Sequence, residues 1–291
     1  MFLAGCSYGV MVPLVRTAQF KGFVTGQIMV TQYLVAAIAL ALLCLLFSRK
    51  KVAFKDVFKL IGVGVTAAGV SFFYYQSLAL LLPATSLTLL FQFVWMGMVF
   101  QAISTKVLPK LASFLVVLLV LFGAVLATGI MDEGVTLESL DPLGILWGFL
   151  SAVCYTAFLV LSGNTSSKVP TLNRTLFITL GSLAISLVIS HQYLTSEMLV
   201  VADPFVGLTL GIAGICLPVY LIALSSPKLP PALTTIMASS ELPSGVIFAA
   251  IFIGEPVTLT IGIGVIIVLV GIVASEWETL RRLVFKPVTM M

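Results

Sequence analysis

The chain has 291 residues, of which 60% are hydrophobic and only 9% charged. A soluble domain carries about 25% charged residues, so this composition, with a mean hydropathy of +1.20, excludes a soluble enzyme, a nucleic-acid binder and a disordered chain. The net charge of +4 identifies no partner, because in a membrane protein the placement of basic residues matters more than their sum.

The remaining class is an all-α polytopic membrane protein. A spanning helix needs about 20 apolar residues, and the sequence predicts ten such segments, at 2–18, 25–47, 57–78, 83–103, 110–130, 142–162, 172–190, 205–224, 231–253 and 257–276. Runs of this length argue against barrel strands, which alternate over about 10 positions. The chain starts directly in an apolar run without the basic region of a cleaved signal peptide. The first segment is therefore expected to be retained, and its shortness leaves room for residues before Met1.

Along the chain, segment 1 carries Tyr8, Pro13 and Arg16, and segment 2 carries Gln32. Segment 3 contains the run Phe72-Phe73-Tyr74-Tyr75-Gln76, aromatic on every face. Segment 4 holds Gln92 and Trp95, three apart and so neighbours on one helix face. Tyr155 lies in segment 6, Tyr220 follows Pro218 in segment 8, and segment 9 contains Ser239, Ser240, Glu241 and Pro243. Pro109, Asp141-Pro142, Asp203-Pro204, Pro230-Pro231 and Glu255-Pro256 mark joints. Cys6, Cys44, Cys154 and Cys216 each sit inside an apolar run without metal-type spacing and read as small core residues.

With the N-terminus in the cytoplasm, that side receives Arg49, Lys50, Lys51, Lys55, Lys59, Lys106, Lys110, Lys168, Arg174, Lys228, Arg281, Arg282 and Lys286. The outer side keeps Arg16 and Lys21 and collects Asp132, Glu133, Glu138, Asp141, Glu197, Asp203 and Glu255. The positive-inside rule then places both termini in the cytoplasm, and the Arg49-Lys50-Lys51 group reads as an orientation signal that meets anionic lipid.

The chain also repeats itself. Residues 83–125 laid without gaps on 231–273 match at Pro83/Pro231, Ala84/Ala232, Gly97/Gly245, Phe100/Phe248, Ala102/Ala250, Ile103/Ile251, Leu111/Leu259 and Gly123/Gly271, among others. Tyr8 and Tyr155 pair at nearly the same offset. Two halves of five segments follow, and because five is odd the second half enters the membrane upside down, an inverted repeat of the transporter kind. The expected organisation is a first repeat at 1–131, an acidic outer linker at 132–141, a second repeat at 142–276 and a cytoplasmic tail at 277–291.

These features resemble the drug/metabolite transporter superfamily in its EamA-domain branch. The stretch that carries the resemblance runs from Leu229-Pro230-Pro231-Ala232 through Glu241-Leu242-Pro243 to Gly254-Glu255-Pro256, and Leu82-Pro83-Ala84 repeats its start. The first half departs afterwards, with Trp95 in place of Pro243 and Lys106-Val107 in place of Gly254-Glu255. The resemblance implies a central cavity lined by segments 1, 3, 4, 6, 8 and 9, with segments 5 and 10 at the periphery. It also implies alternating-access transport of small metabolites, most often export, and a bacterial inner membrane.

Glu241 is the most informative residue. About ten residues into its helix it lies roughly 15 Å deep, near the bilayer midplane. A charged acid there costs on the order of 3 kcal/mol on insertion scales unless it is protonated or partnered. It reads as a proton-coupling or substrate-amine site, against the plainer reading of a neutral acid bonded to a neighbouring helix. Pro243 removes a backbone bond from the Ser239 carbonyl and reads as a hinge in a cavity-lining patch, against a simple kink required for packing, with Ser239 and Ser240 re-satisfying the broken backbone. Gln92 and Trp95 would face Ser240 across the shared midplane, against a plain interhelical bond and a packed indole. Tyr8 and Tyr155 need partners for buried hydroxyls; Tyr75, near the outer end, reads as a cavity residue or as part of an interfacial belt, and Tyr220 is a further cavity candidate. Arg16 either attracts a carboxylate or snorkels to the headgroups. Glu255 reads as a helix-end residue, and His191, the one histidine, as solvated.

No Gly-x-x-x-x-Gly-Lys-Ser/Thr pattern occurs, so ATP is not the direct energy source. The sequence reading is a secondary transporter of small organic metabolites, an exporter of amino acids or similar compounds, working by proton exchange or by facilitated movement. The alternatives are an importer of a sugar, vitamin or nucleoside-like solute, and a structural or signalling membrane protein. No cofactor, metal or nucleic-acid partner is expected. The expected partners are the metabolite, protons and lipid, with the chain a monomer or homodimer. An intramembrane enzyme would need paired acids, a Ser-His dyad or a His-rich metal site at membrane depth, and none is present.

Overall fold

The computed structural model describes residues 1–48, 51–131, 140–191 and 202–284. Among the residues used above for sidedness, Arg49, Lys50, Asp132, Glu133, Glu138, Glu197 and Lys286 lie outside the described residues, as does most of the 132–141 linker. The described residues form helices and turns, with no strand among them.

Helices α1 (Phe2–Gly9) and α2 (Met11–Phe20) are followed by α3 (Thr25–Phe47) and α4 (Phe54–Leu80). Then come α5 (Pro83–Leu90), α6 (Phe93–Thr105), α7 (Leu111–Ala127), α8 (Pro142–Asn164) and α9 (Thr171–Ile189). Helix α10 (Pro204–Gly211) runs through a π turn, Ile212–Cys216, into α11 (Leu217–Ser225). Helices α12 (Pro231–Ala238), α13 (Glu241–Ile253) and α14 (Leu259–Val284) complete the chain. Among the described residues seven helical stretches are long and apolar enough to cross a membrane, and Leu111–Ala127 and Leu259–Ser275 are shorter apolar helices. The chain is a polytopic membrane protein built from helices.

The surface agrees with a lipid surround. Leu46, Phe47, Phe122, Ile251 and Ile266 point outward, while the interior holds buried Ser and Thr. Their hydroxyls donate to backbone carbonyls of neighbouring helices, as membrane helices without water require. Ser182 donates to Gly64 at 2.9 Å, Thr235 to Val94 at 3.1 Å and Ser226 to Leu159 at 2.7 Å. Cys44 and Cys216 are buried and Cys6 and Cys154 half-buried, all as free thiols.

Close approach is set by small residues. Gly64 of α4 and Gly181 of α9 meet where these helices cross: a Cβ on Gly64 would fall on the backbone of Ile178 and Gly181, and one on Gly181 on the backbone of Ile61. Backbone cannot swing aside as a side chain can. Overpacking usually costs about 1–3 kcal/mol, and Gly64→Val is expected to lie at or above the top of that range, read as a lowered melting temperature of the detergent-solubilised protein. An unchanged melting curve would mean that this crossing does not hold the bundle together.

Two helices expected to be continuous are broken at matching places. The chain leaves the α-helix at Phe91–Gln92 between α5 and α6, and at Ser239–Ser240 between α12 and α13. In the second break the Ser239 carbonyl, which Pro243 cannot bond, accepts from the Leu242 N–H at 3.1 Å. In the first, Trp95 replaces the proline, yet the Phe91 carbonyl accepts from Val94 in the same way at 3.2 Å. The proline is therefore not the sole cause of the geometry. Both helices also end in a left-handed residue, Lys106 with φ 55° and Gly254 with φ 67°.

Arg174 departs from its expected role as a basic residue on the cytoplasmic surface. It is 2% exposed. Its guanidinium donates to the Ser162 and Gly163 carbonyls at the end of α8 and to the Ala223 carbonyl of α11. The α8 carbonyls are last-turn acceptors without a helical partner, and the donor position four residues after Ala223 is Pro227, which has no N–H. One side chain thus joins two helix C-termini, whose partial negative charge offsets its own.

Candidate functional site

A cavity of about 270 Å³ lies at the centre of the bundle. Its floor is at mid-helix depth, where Tyr155 of α8 donates from its hydroxyl to Glu241 Oε2 at 2.8 Å. Glu241 opens α13 directly after the Ser239–Ser240 break, so the break places the acid on the cavity wall. Tyr8 meets Tyr155 edge to face, with ring centroids 6.2 Å apart. Above the floor the wall carries one stripe of α4, with Ala67, Ser71, Tyr74, Tyr75 and Leu78 at helical spacing, and one of α1–α2, with Tyr8, Met11, Val15 and Gln19.

The cavity reaches the end of the bundle where Arg16, Pro83, Thr128 and Glu255 line it. At that mouth Arg16 Nη1 lies 2.5 Å from Glu255 Oε1, both side chains being about one-third exposed (34% and 39%). The opposite end is closed by direct helix contacts. Thr235 bonds to Val94, the Gln101 side chain accepts from the Ala232 N–H at 3.1 Å, and the Ser240 hydroxyl donates to the Phe2 carbonyl at 2.8 Å.

A π turn shapes one further wall. Pro218 cannot donate to the carbonyl four residues before it, and the helix widens over Ile212–Cys216. Ser7 of α1 donates to the Ala213 carbonyl of that turn at 2.5 Å, and Ile215 and Val219 then face the cavity.

Of the residues singled out in the sequence, Tyr8, Tyr75, Tyr155, Glu241 and Arg16 come together on the cavity wall. Gln92, Trp95, Ser239, Ser240 and Tyr220 do not line it. The Gln92 side chain donates to the Thr88 carbonyl at 3.0 Å and accepts from the Trp95 indole at 3.0 Å, so the two satisfy each other. Ser239 donates to the Ile236 carbonyl of its own helix at 2.5 Å, and Ser240 ties α1 to the break. Pro243 is buried beside the break. Arg16 and Glu255, read separately as a headgroup contact and a helix end, form one ion pair. The end of α7 and the start of α14 also reach the mouth through Thr128 and Ile261, although these helices were expected only at the periphery. His191 is exposed and bonds to the Val188 carbonyl.

Sequence reasoning missed Tyr33 and Tyr74. The hydroxyl of Tyr33 contacts Ser71 and donates to the Ala67 carbonyl, each at 3.1 Å. The spacing of 67, 71, 74 and 78 was a signal that could have found Tyr74, since it marks one helix face.

The second ion pair among the described residues joins Lys21 to Asp203 at the same end of the bundle. Asp203 caps α10, accepting from the Val206 N–H at 3.2 Å. The Lys21 ammonium, then this backbone bond, hold its carboxyl below the usual carboxylate range. The two basic residues that the sequence assigned to the outer side are thus each matched to an acid assigned to that side.

Comparison with known proteins agrees with this architecture. A solved crystal structure is similar in fold at 16% identity, with 96% of each chain covered and a TM-score of 0.78. No curated protein matches the chain. The EamA-like transporter family model matches residues 142–276. Over that second half the chain is similar to the EamA-like transporter family of the drug/metabolite transporter superfamily.

Proposed function

We propose that the protein is a secondary transporter that exports amino acids or similarly small organic metabolites by alternating access, coupled to protons through Glu241. The observation that carries this reading is the cavity itself. It runs from a carboxyl at mid-depth to one end of the bundle and is closed at the other end by helix contacts. That is the form of one half of an alternating-access cycle, open to the Arg16–Glu255 side.

In this reading ten helical segments form two inverted five-helix repeats, at 1–131 and 142–276, joined by the 132–141 linker and followed by the 277–291 tail. Support comes from the equivalent breaks at Phe91–Gln92 and Ser239–Ser240 and the equivalent left-handed ends at Lys106 and Gly254. The contacts exchange in the same way. Helix α1 packs on α13 as α8 does on α6, and α4 packs on α8 and α9 as the α10–α11 unit packs on α1 and α3. The family match covers the span of the second repeat. Both termini lie in the cytoplasm of a bacterial cell, with the protein in the inner membrane as a monomer or homodimer. The paired Arg16 and Lys21 support this orientation, since their charges are already matched on the outer side.

The test is flux in proteoliposomes with labelled amino acids, sugars and nucleosides, each with and without a pH gradient. Solute-specific flux above that of protein-free vesicles, faster with the gradient, is the expected result. Equal rates in protein-containing and empty vesicles for every solute would sink the reading.

A further inference from the structure

We propose that the cavity is a site for a small organic cation, a protonated amine or quaternary ammonium, held by Glu241 inside a corner of tyrosine rings. This rests on the reading of the cavity as a solute site and names the charge class that it accepts.

The first observation is charge. Among the described residues, the carboxyl and basic side chains on the cavity wall are Arg16, Glu255 and Glu241. Arg16 and Glu255 are paired with each other at the mouth. Glu241 has no cationic partner among the described residues, and its one hydrogen-bond donor is the neutral Tyr155 hydroxyl. A carboxylate in an apolar interior without a counter-ion favours a cation from outside over a neutral or anionic solute.

The second observation is the wall around that acid. Tyr8, Tyr74 and Tyr155 come from three different helices and line the cavity together with Glu241, and Tyr155 donates its hydroxyl to that acid. Tyr8 and Tyr155 stand at an interplanar angle of 87°, so their rings form two walls of a corner and not a stack. Ring faces around a cation attract it through the aromatic quadrupole. Apolar rings and a single anion at the floor, with the one arginine already neutralised at the entrance, make a site suited to a compact positive head.

The test uses the full-length protein in detergent and isothermal titration with three probes of one shape. These are choline, its uncharged isostere 3,3-dimethylbutan-1-ol and the anion 3,3-dimethylbutanoate. Choline is expected to bind at least tenfold more tightly than the alcohol, and the carboxylate more weakly still. Glu241→Gln is expected to erase the difference between choline and the alcohol. Tyr8→Leu is expected to weaken choline several-fold and leave the alcohol unchanged, with circular dichroism and melting temperature verifying that both variants are folded. Equal binding of choline and the alcohol, or no binding of any probe at 10 mM, overturns the proposal. Tighter binding of the carboxylate, lost in Arg16→Gln, overturns it in favour of an anion site. Flux of neutral or anionic solutes alone in the proteoliposome assay would remove the cation class and leave the transporter standing. Absence of flux for solutes of every charge would remove the transporter reading itself.

Discussion

Arg174→Met is expected to destabilise the protein by on the order of 3 kcal/mol or more. The substitution keeps most of the aliphatic length, so the loss isolates the guanidinium. Three carbonyls, those of Ser162, Gly163 and Ala223, then lose their donor in a buried setting. Each buried acceptor left without a partner costs about 1–3 kcal/mol, and none has an N–H of its own helix to fall back on. Arg174→Lys is expected to fall between wild type and Arg174→Met, because an ammonium is a point charge and cannot span two helix ends with a planar fork. Thermal unfolding of the detergent-solubilised protein, followed by loss of helicity, gives the order. If Arg174→Met melts with wild type, the clamp contributes nothing and the two helix ends are held by packing alone.

Glu241→Gln is expected to have the largest effect on activity. Gradient-driven flux should fall at least tenfold, while the melting temperature stays within a few degrees. The amide oxygen can still accept from Tyr155, so packing is preserved and the titratable proton is what disappears. Tyr155→Phe removes the donor but keeps the acid and the ring, and a loss of only a few-fold is expected. The two variants separate coupling from positioning. A Glu241→Gln protein that keeps full acceleration by the pH gradient would take this residue out of the coupling step and leave the cavity as a plain solute path.

The break in the second half was legible at Pro243, because a proline removes a specific backbone bond. Its counterpart at Phe91–Gln92 carries no such mark, and it became visible only with the Val94 N–H turned to the Phe91 carbonyl. Helix α6 presents Gly97 to Thr235 there, so the broken helix is placed by its neighbour and not by its own composition.

By itself the sequence determined the helical, membrane-embedded class, the positions of the long apolar segments and the place of Glu241 within one of them. All of these follow from local quantities: run length, the rise of 1.5 Å per residue and residue identity. Tertiary structure alone decided which side chains share the cavity. A helix that is apolar all round carries no stripe to tell its buried face from its lipid face. Gln92 and Trp95 could therefore be placed beside each other but not aimed, and they satisfy one another away from the cavity. Tyr74, one residue from Tyr75 in an unbroken aromatic run, gained its place on the cavity wall only through the packing of α4 against α8. Arg16 and Glu255, 239 positions apart, became one ion pair, and Arg174 changed from a surface charge to a buried clamp. In each case the deciding quantity is the partner across the helix interface, which lies far away in the chain.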